Sequence, residues 1–166
     1  MIPRITAPRF LALIGVAAVL LVVAGLVLGE VLRLKACPLC IFQRLLYLLV
    51  GGFALAGAAL YGSSIARRLL AGLAFLSALG GMATASYQTW LQAQPASPFE
   101  CGFGDPNLIE RLVEWLGQLW PMMFLATGIC SSKEWVFLGL SMAGWSVICF
   151  GALALALLPF LRQRKG

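Results

Sequence analysis

The 166-residue chain has the length of one domain, but 61 % of it is apolar and 11 % is charged, against about 25 % charged in soluble domains. That balance excludes a water-soluble globule and makes the bilayer the solvent, in which every span must be a helix or part of a closed barrel. The net charge of +6 sits beside hydrophobic runs, so it reads as a topology signal rather than as a nucleic-acid surface. There is no histidine, which leaves any chemistry to Cys, carboxylates, Arg, Lys or Tyr.

Crossing the hydrocarbon takes about 20 apolar residues, and four segments qualify: about 10–28, 41–60, 69–91 and 135–161. The predicted architecture is an all-α membrane protein, a four-transmembrane-helix bundle forming a single domain over 1–166. Strict alternation of apolar and polar residues is absent, which argues against a barrel. The first run is too long for the apolar core of a cleaved signal and is expected to be a retained helix. Ser77, Thr84 and Ser86 in the third run can bond back to the helix backbone.

Charges set the orientation. Arg4 and Arg9 precede the first span, Arg67 and Arg68 lie between the second and third, and Arg162, Arg164 and Lys165 follow the fourth. All six acids, Glu30, Glu100, Asp105, Glu110, Glu114 and Glu134, fall in or beside the other two loops, about 29–40 and 92–134. The positive-inside rule then places both termini in the cytoplasm and those two loops outside. Trp90, Trp115, Trp120 and Trp135 gather at or beyond the outer boundary. In the long outer loop, Asp105 is placed to cap a helix with Pro106 at its first position. Leu108, Leu112, Leu116 and Trp120 then recur at helical spacing over 107–120. This predicts a short amphipathic helix lying on the outer membrane surface, with a lipid-bound anchor favoured over direct contact with substrate.

Four of the five cysteines fall on the outer, oxidising side. Cys37-Pro38-Leu39-Cys40 is a C-x-x-C just before the second span, a spacing suited to redox cycling rather than to stapling. Cys40, at a helix N-terminus with Arg44 one turn on, is expected to be the reactive thiolate, and Cys37 the more exposed partner. Arg44 within the first turns of a span either snorkels to the headgroups or stabilises charge on a bound group such as a quinone carbonyl. Cys101 and Cys130, if paired, would close a long loop, either as a staple or as a second redox pair. Glu100, Gly102 and Gly104 around Cys101 favour a setting open to exchange, and a static pair would leave the C-x-x-C without an outlet. Cys149, between Ile148 and Phe150, reads as a small buried hydrophobe. Zinc is disfavoured because only one close-spaced cysteine pair is present, and no metal is expected.

The run Cys37-Pro38-Leu39-Cys40-Ile41-Phe42-Gln43-Arg44 resembles the C-x-x-C-x-x-x-R signature of the DsbB family, inner-membrane oxidants of the periplasmic thiol oxidase DsbA. Ser97-Pro98-Phe99-Glu100-Cys101, Ala126-Thr127-Gly128-Ile129-Cys130 and Glu134-Trp135-Val136-Phe137-Leu138-Gly139-Leu140 extend the resemblance along the chain. It implies two redox-active disulfides, Cys37–Cys40 and Cys101–Cys130, in a bacterial inner-membrane protein-disulfide:quinone oxidoreductase. A DsbA-like partner attacks at Cys101, and exchange carries the electrons to Cys37–Cys40. Cys40, with Arg44 beside it, passes them to ubiquinone or menaquinone from the membrane pool. Some members carry a histidine near the outer end of the third span. Gln88 or Thr89 falls there in this chain, so the quinone oxygen is left to Arg44, a water or the backbone. An oxidoreductase of the vitamin K epoxide reductase type would carry its C-x-x-C late in the chain rather than between the first two spans. A non-catalytic scaffold with structural disulfides is the rival from another class.

Overall fold

The computed structural model describes residues 7–60, 62–94, 108–131, 133 and 135–162. Four long helices carry the fold: α1 (Ala7–Val31), α2 (Pro38–Ala59), α3 (Ser64–Leu91) and α6 (Met142–Arg162). Each is long and apolar enough to cross a membrane, at about 1.5 Å of rise per residue. Between α3 and α6 lie α4 (Leu108–Leu119), a single turn α5 (Pro121–Phe124), and an antiparallel hairpin of β1 (Val136–Phe137) and β2 (Leu140–Ser141).

The spans sit where the hydropathy predicts, with two differences. α3 starts at Ser64 instead of near residue 69, because Ser63 caps it by accepting from the Ala66 amide, so Arg67 and Arg68 lie inside its first turns. α6 starts at Met142 instead of Trp135. Leu138 and Gly139 adopt positive φ (51° and 80°), and the chain reverses before the helix begins. Trp135 stacks on Phe137, and Trp145 Nε1 donates to the Phe137 carbonyl at 3.1 Å. The apolar residues of 136–140 thus form a hairpin rather than a first helical turn.

α1 packs on α2, α2 on α3 and α3 on α6, and a lighter contact between α6 and α1 closes the bundle. Apolar burial supplies no net drive between helices in lipid, so close backbone approach must hold them. The buried stripe of α3 is accordingly built of small residues: Ala71, Ala74, Ala78, Gly81 and Ala85. The Phe150 ring lies over Gly81, where a β-carbon would overlap it, and stacks on Tyr47 at 3.8 Å. Gly15 and Gly51 bring α1 and α2 together in the same way. Leu13, Leu20, Leu69, Leu76 and Leu155 point outward, as a lipid-facing surface requires. The hydroxyls of Ser77, Thr84 and Ser86 donate to carbonyls one turn back, at 2.8 to 2.9 Å, as expected for polar side chains in a span.

α4 is amphipathic, and its apolar residues divide between two faces. Val113, with Ile109 and Leu116 beside it, packs on Ile41 at the head of α2 and on Phe124 of α5. Leu108, Leu112, Trp115 and Leu119 stay exposed, which suits a helix lying along a membrane surface. The expected cap and first turn, Asp105 to Asn107, lie outside the described residues.

Candidate functional site

The end of the bundle where α2 begins and α3 ends gathers three of the sequence-predicted cysteines. Cys37 is the N-cap of α2, with Pro38 at the first helical position. Its extended backbone (φ −85°, ψ 161°) turns the sulfur back over the helix end, where it accepts from the Cys40 amide at 3.2 Å. The helix-terminal donor expected for Cys40 is therefore engaged by Cys37. Exposure also runs opposite to expectation. Cys37 is buried at 2 %, while Cys40 is the partly exposed member of the pair. The cover over Cys37 is Leu39 and the loop that carries Cys130, a tertiary effect that local spacing does not report.

Cys130 is fully buried and hydrogen-bonds with Cys37 through their side chains. A backbone latch sets this contact. The amides of Thr127 and Gly128 both donate to the Ala36 carbonyl at 2.9 Å, one residue before Cys37. Gly128 rests on Lys35 so closely that a β-carbon would overlap the Lys35 carbonyl. Hydrogen bonding to Cys130 and to Cys40, together with burial, pushes the Cys37 thiol far above the ordinary thiol range. Cys101, the fourth predicted redox cysteine, lies outside the described residues. Cys149 is half-buried on α6 and packs against the bundle core, away from this cluster.

Two glutamines complete the site. Gln88 of α3 donates from Nε2 to Cys40 Sγ at 3.1 Å and to Cys37 Sγ at 3.3 Å. Gln43 of α2 donates from Nε2 to Gln88 Oε1 at 2.7 Å. Sequence reasoning placed Gln88 near the position of a family histidine but assigned it nothing, and it passed over Gln43. A buried amide is costly in an apolar span unless it is hydrogen-bonded, and that cost was the available signal.

Arg44, one turn beyond Cys40, donates from Nη1 to the Met123 carbonyl at 3.3 Å, joining α2 to α5. A cavity of about 50 Å³ adjoins the sulfurs, lined by Cys37, Cys40 and Gln88 on one side and by Leu34, Trp135 and Met142 among others. Among the described residues no three His, Cys, Asp or Glu side chains are grouped so as to hold a metal.

A family model described as "Disulfide bond formation protein DsbB" matches residues 7–160. The chain belongs to the DsbB family. Among its relatives, the disulfide bond formation protein B of Dechloromonas aromatica (strain RCB) is 49 % identical over 164 residues, covering 98 % of this chain and 97 % of the relative. That of Azoarcus sp. (strain BH72) is 42 % identical, with 99 % and 97 % covered. That of Verminephrobacter eiseniae (strain EF01-2) is 40 % identical, with 95 % and 88 % covered. The DsbB match takes in α1, α2 and α3, all but the last two residues of α6, and both C-x-x-C cysteines, so this is a multi-pass membrane protein of disulfide bond formation.

Proposed function

We propose that this DsbB-family chain is a thiol:quinone oxidoreductase. It reoxidises a DsbA-like periplasmic thiol oxidase and delivers the electrons to the membrane quinone pool. The observation that carries this reading is the sulfur chain itself: Cys130 contacts Cys37, Cys37 adjoins Cys40, and Cys40 is partly open beside a cavity. A stapling disulfide has no need of a third sulfur within reach or of an outlet.

In the working orientation both termini are cytoplasmic and the cysteine-bearing loops face the periplasm of a bacterial inner membrane. The partner's thiolate attacks Cys101, which breaks the Cys101–Cys130 bond and frees Cys130 as a thiolate. Cys130 attacks the adjacent Cys37, breaking the Cys37–Cys40 bond and leaving Cys40 as a thiolate. The partner's second thiolate then forms the partner's own disulfide and releases Cys101. Cys101 attacks Cys130 and restores the outer pair. Cys37 and Cys40 are left reduced, holding two electrons and two protons. Exchange of this kind runs fastest when the leaving sulfur is stabilised as a thiolate.

The site's residues fit a quinone. Leu34, Ile129, Trp135 and Met142 give the cavity apolar walls next to Cys40, and Arg44 supplies a cation one turn along the same helix. When bound, a quinone supplies a two-electron, two-proton acceptor. Cys40 and Arg44 are the residues assigned to hold it.

The test is quinone reduction by the purified protein, given a reduced DsbA-like dithiol and either ubiquinone or menaquinone, with Cys40→Ser as control. Turnover lost in the control supports the reading. Absence of turnover with both quinones would move the scaffold reading to the front.

A further inference from the structure

α2 and α3 bury one glutamine each beside the cysteine pair, at 4 % exposure for Gln43 and 3 % for Gln88. The rest of the α3 stripe is Ala and Gly, so small residues alone suffice to pack this helix. An amide carries two N–H donors on nitrogen and acceptor lone pairs on oxygen. Gln43 Nε2 donates to Gln88 Oε1 at 2.7 Å, which fixes the Gln88 amide with its oxygen toward α2. Its nitrogen is thereby turned to the sulfurs, with Cys40 Sγ at 3.1 Å and Cys37 Sγ at 3.3 Å. Flipping the amide would set N–H against N–H at one end and oxygen against sulfur at the other.

A donor aimed at sulfur stabilises an ionised sulfur more than a thiol or a disulfide sulfur. Of the two sulfurs, Cys37 accepts the Cys40 amide and keeps its proton in hydrogen bonds to the Cys130 and Cys40 side chains, so it stays a thiol. Cys40 Sγ receives Gln88, at the shorter of the two amide–sulfur distances. We infer that Gln88 is a catalytic residue that stabilises the Cys40 thiolate, and that Gln43 is a positioning residue that sets the direction of its amide. The inference rests on the reading that Cys37–Cys40 is a working redox pair and adds a residue to it. It has a consequence for regulation. An amide does not titrate, so the donor is present at every pH at which the protein is folded, whereas an imidazole at this place would gain and lose a proton near neutrality.

The experiment is alkylation of Cys40 by iodoacetamide in the fully reduced, detergent-solubilised full-length protein, followed by peptide mass spectrometry from pH 5 to 9. Gln88→Leu is expected to slow Cys40 labelling at pH 7 about tenfold, the size of one hydrogen bond to a charged group. Gln43→Leu, which leaves Gln88 in place but free to turn, is expected to slow it by a smaller factor. Gln88→His is expected to restore labelling relative to Gln88→Leu most strongly at the acid end, and to shift the pH profile of labelling between about pH 5 and 8 away from the native one. A native rate and pH profile in both Gln88→Leu and Gln43→Leu would overturn the inference. If Gln88→Leu does not fold, a native profile in Gln43→Leu and Gln88→His overturns it. None of these readouts needs quinone turnover, so failure of the oxidoreductase reading, seen as absence of turnover with both quinones, is a separate result.

Discussion

Gly128 lies flat against Lys35, with no room for a β-carbon between the two backbones. That contact lets the Thr127 and Gly128 amides reach the Ala36 carbonyl, and it sets Cys130 beside Cys37. Gly128→Ala is expected to lift this segment and separate the sulfurs. Misplacing reacting groups by about 1 Å can cost on the order of a hundredfold in rate. The check is the rate of Cys37–Cys130 disulfide formation in the reduced protein under a mild oxidant, read by mass spectrometry. An unchanged rate would mean that the latch does not position Cys130.

The raised affinity of Cys37 for its proton makes a second prediction. At pH 7 the reduced protein should be labelled at Cys40 before Cys37, since Cys37 is both protonated and covered. The sign for stability follows. A thiol held protonated in the folded state contributes stability that is complete below the unfolded thiol range, about pH 8.5. That contribution is lost as pH rises above this range, because the unfolded chain then ionises first. The melting temperature of the reduced form should therefore fall between pH 8 and 10, and Cys37→Ala should flatten that fall.

At the α3–α6 interface, Gly81→Ala places a methyl group in the Phe150 ring. Phe150 has no easy retreat, being stacked on Tyr47 at an interplanar angle of 10°. Overpacking of this kind costs about 1–3 kcal/mol. Thermal unfolding in detergent should show the loss, and adding Phe150→Leu should recover part of it.

Arg44→Lys separates charge from shape. Lysine keeps the cation but loses the planar fork that reaches the Met123 carbonyl. Under the proposed function, the KM for quinone should rise about tenfold, the size of one charge-assisted hydrogen bond. Single-turnover exchange with the dithiol partner should keep its rate. A slowed exchange step would move Arg44 from the quinone end to the thiol end of the sequence.

The first three spans were legible in the sequence because continuous apolar runs leave a helix little choice, although the start of α3 moved to Ser64, where the Ser63 cap and not hydropathy sets it. The start of the fourth was not, since Trp135 to Leu140 is as apolar as the helix that follows it. Hydropathy does not see a reversal made by Leu138 and Gly139, although Gly139, with φ 80°, was the one residue that hinted at it. The cysteines were legible as chemistry, and their relative exposure was not. Cys37 is covered by a segment more than 90 residues away along the chain, the one carrying Cys130. The Gln43–Gln88 pair, separated by 45 positions, likewise exists only once α2 and α3 are side by side.

Burial of Cys130 and Cys37 also gives the site insulation. A small thiol diffusing in the surrounding water finds neither sulfur at the surface, and of the three only Cys40 is partly open. Short-circuiting by free low-molecular-weight thiols is thereby slowed without any gate. Selectivity at the middle of the sulfur chain is set by access, leaving chemical discrimination to its two ends.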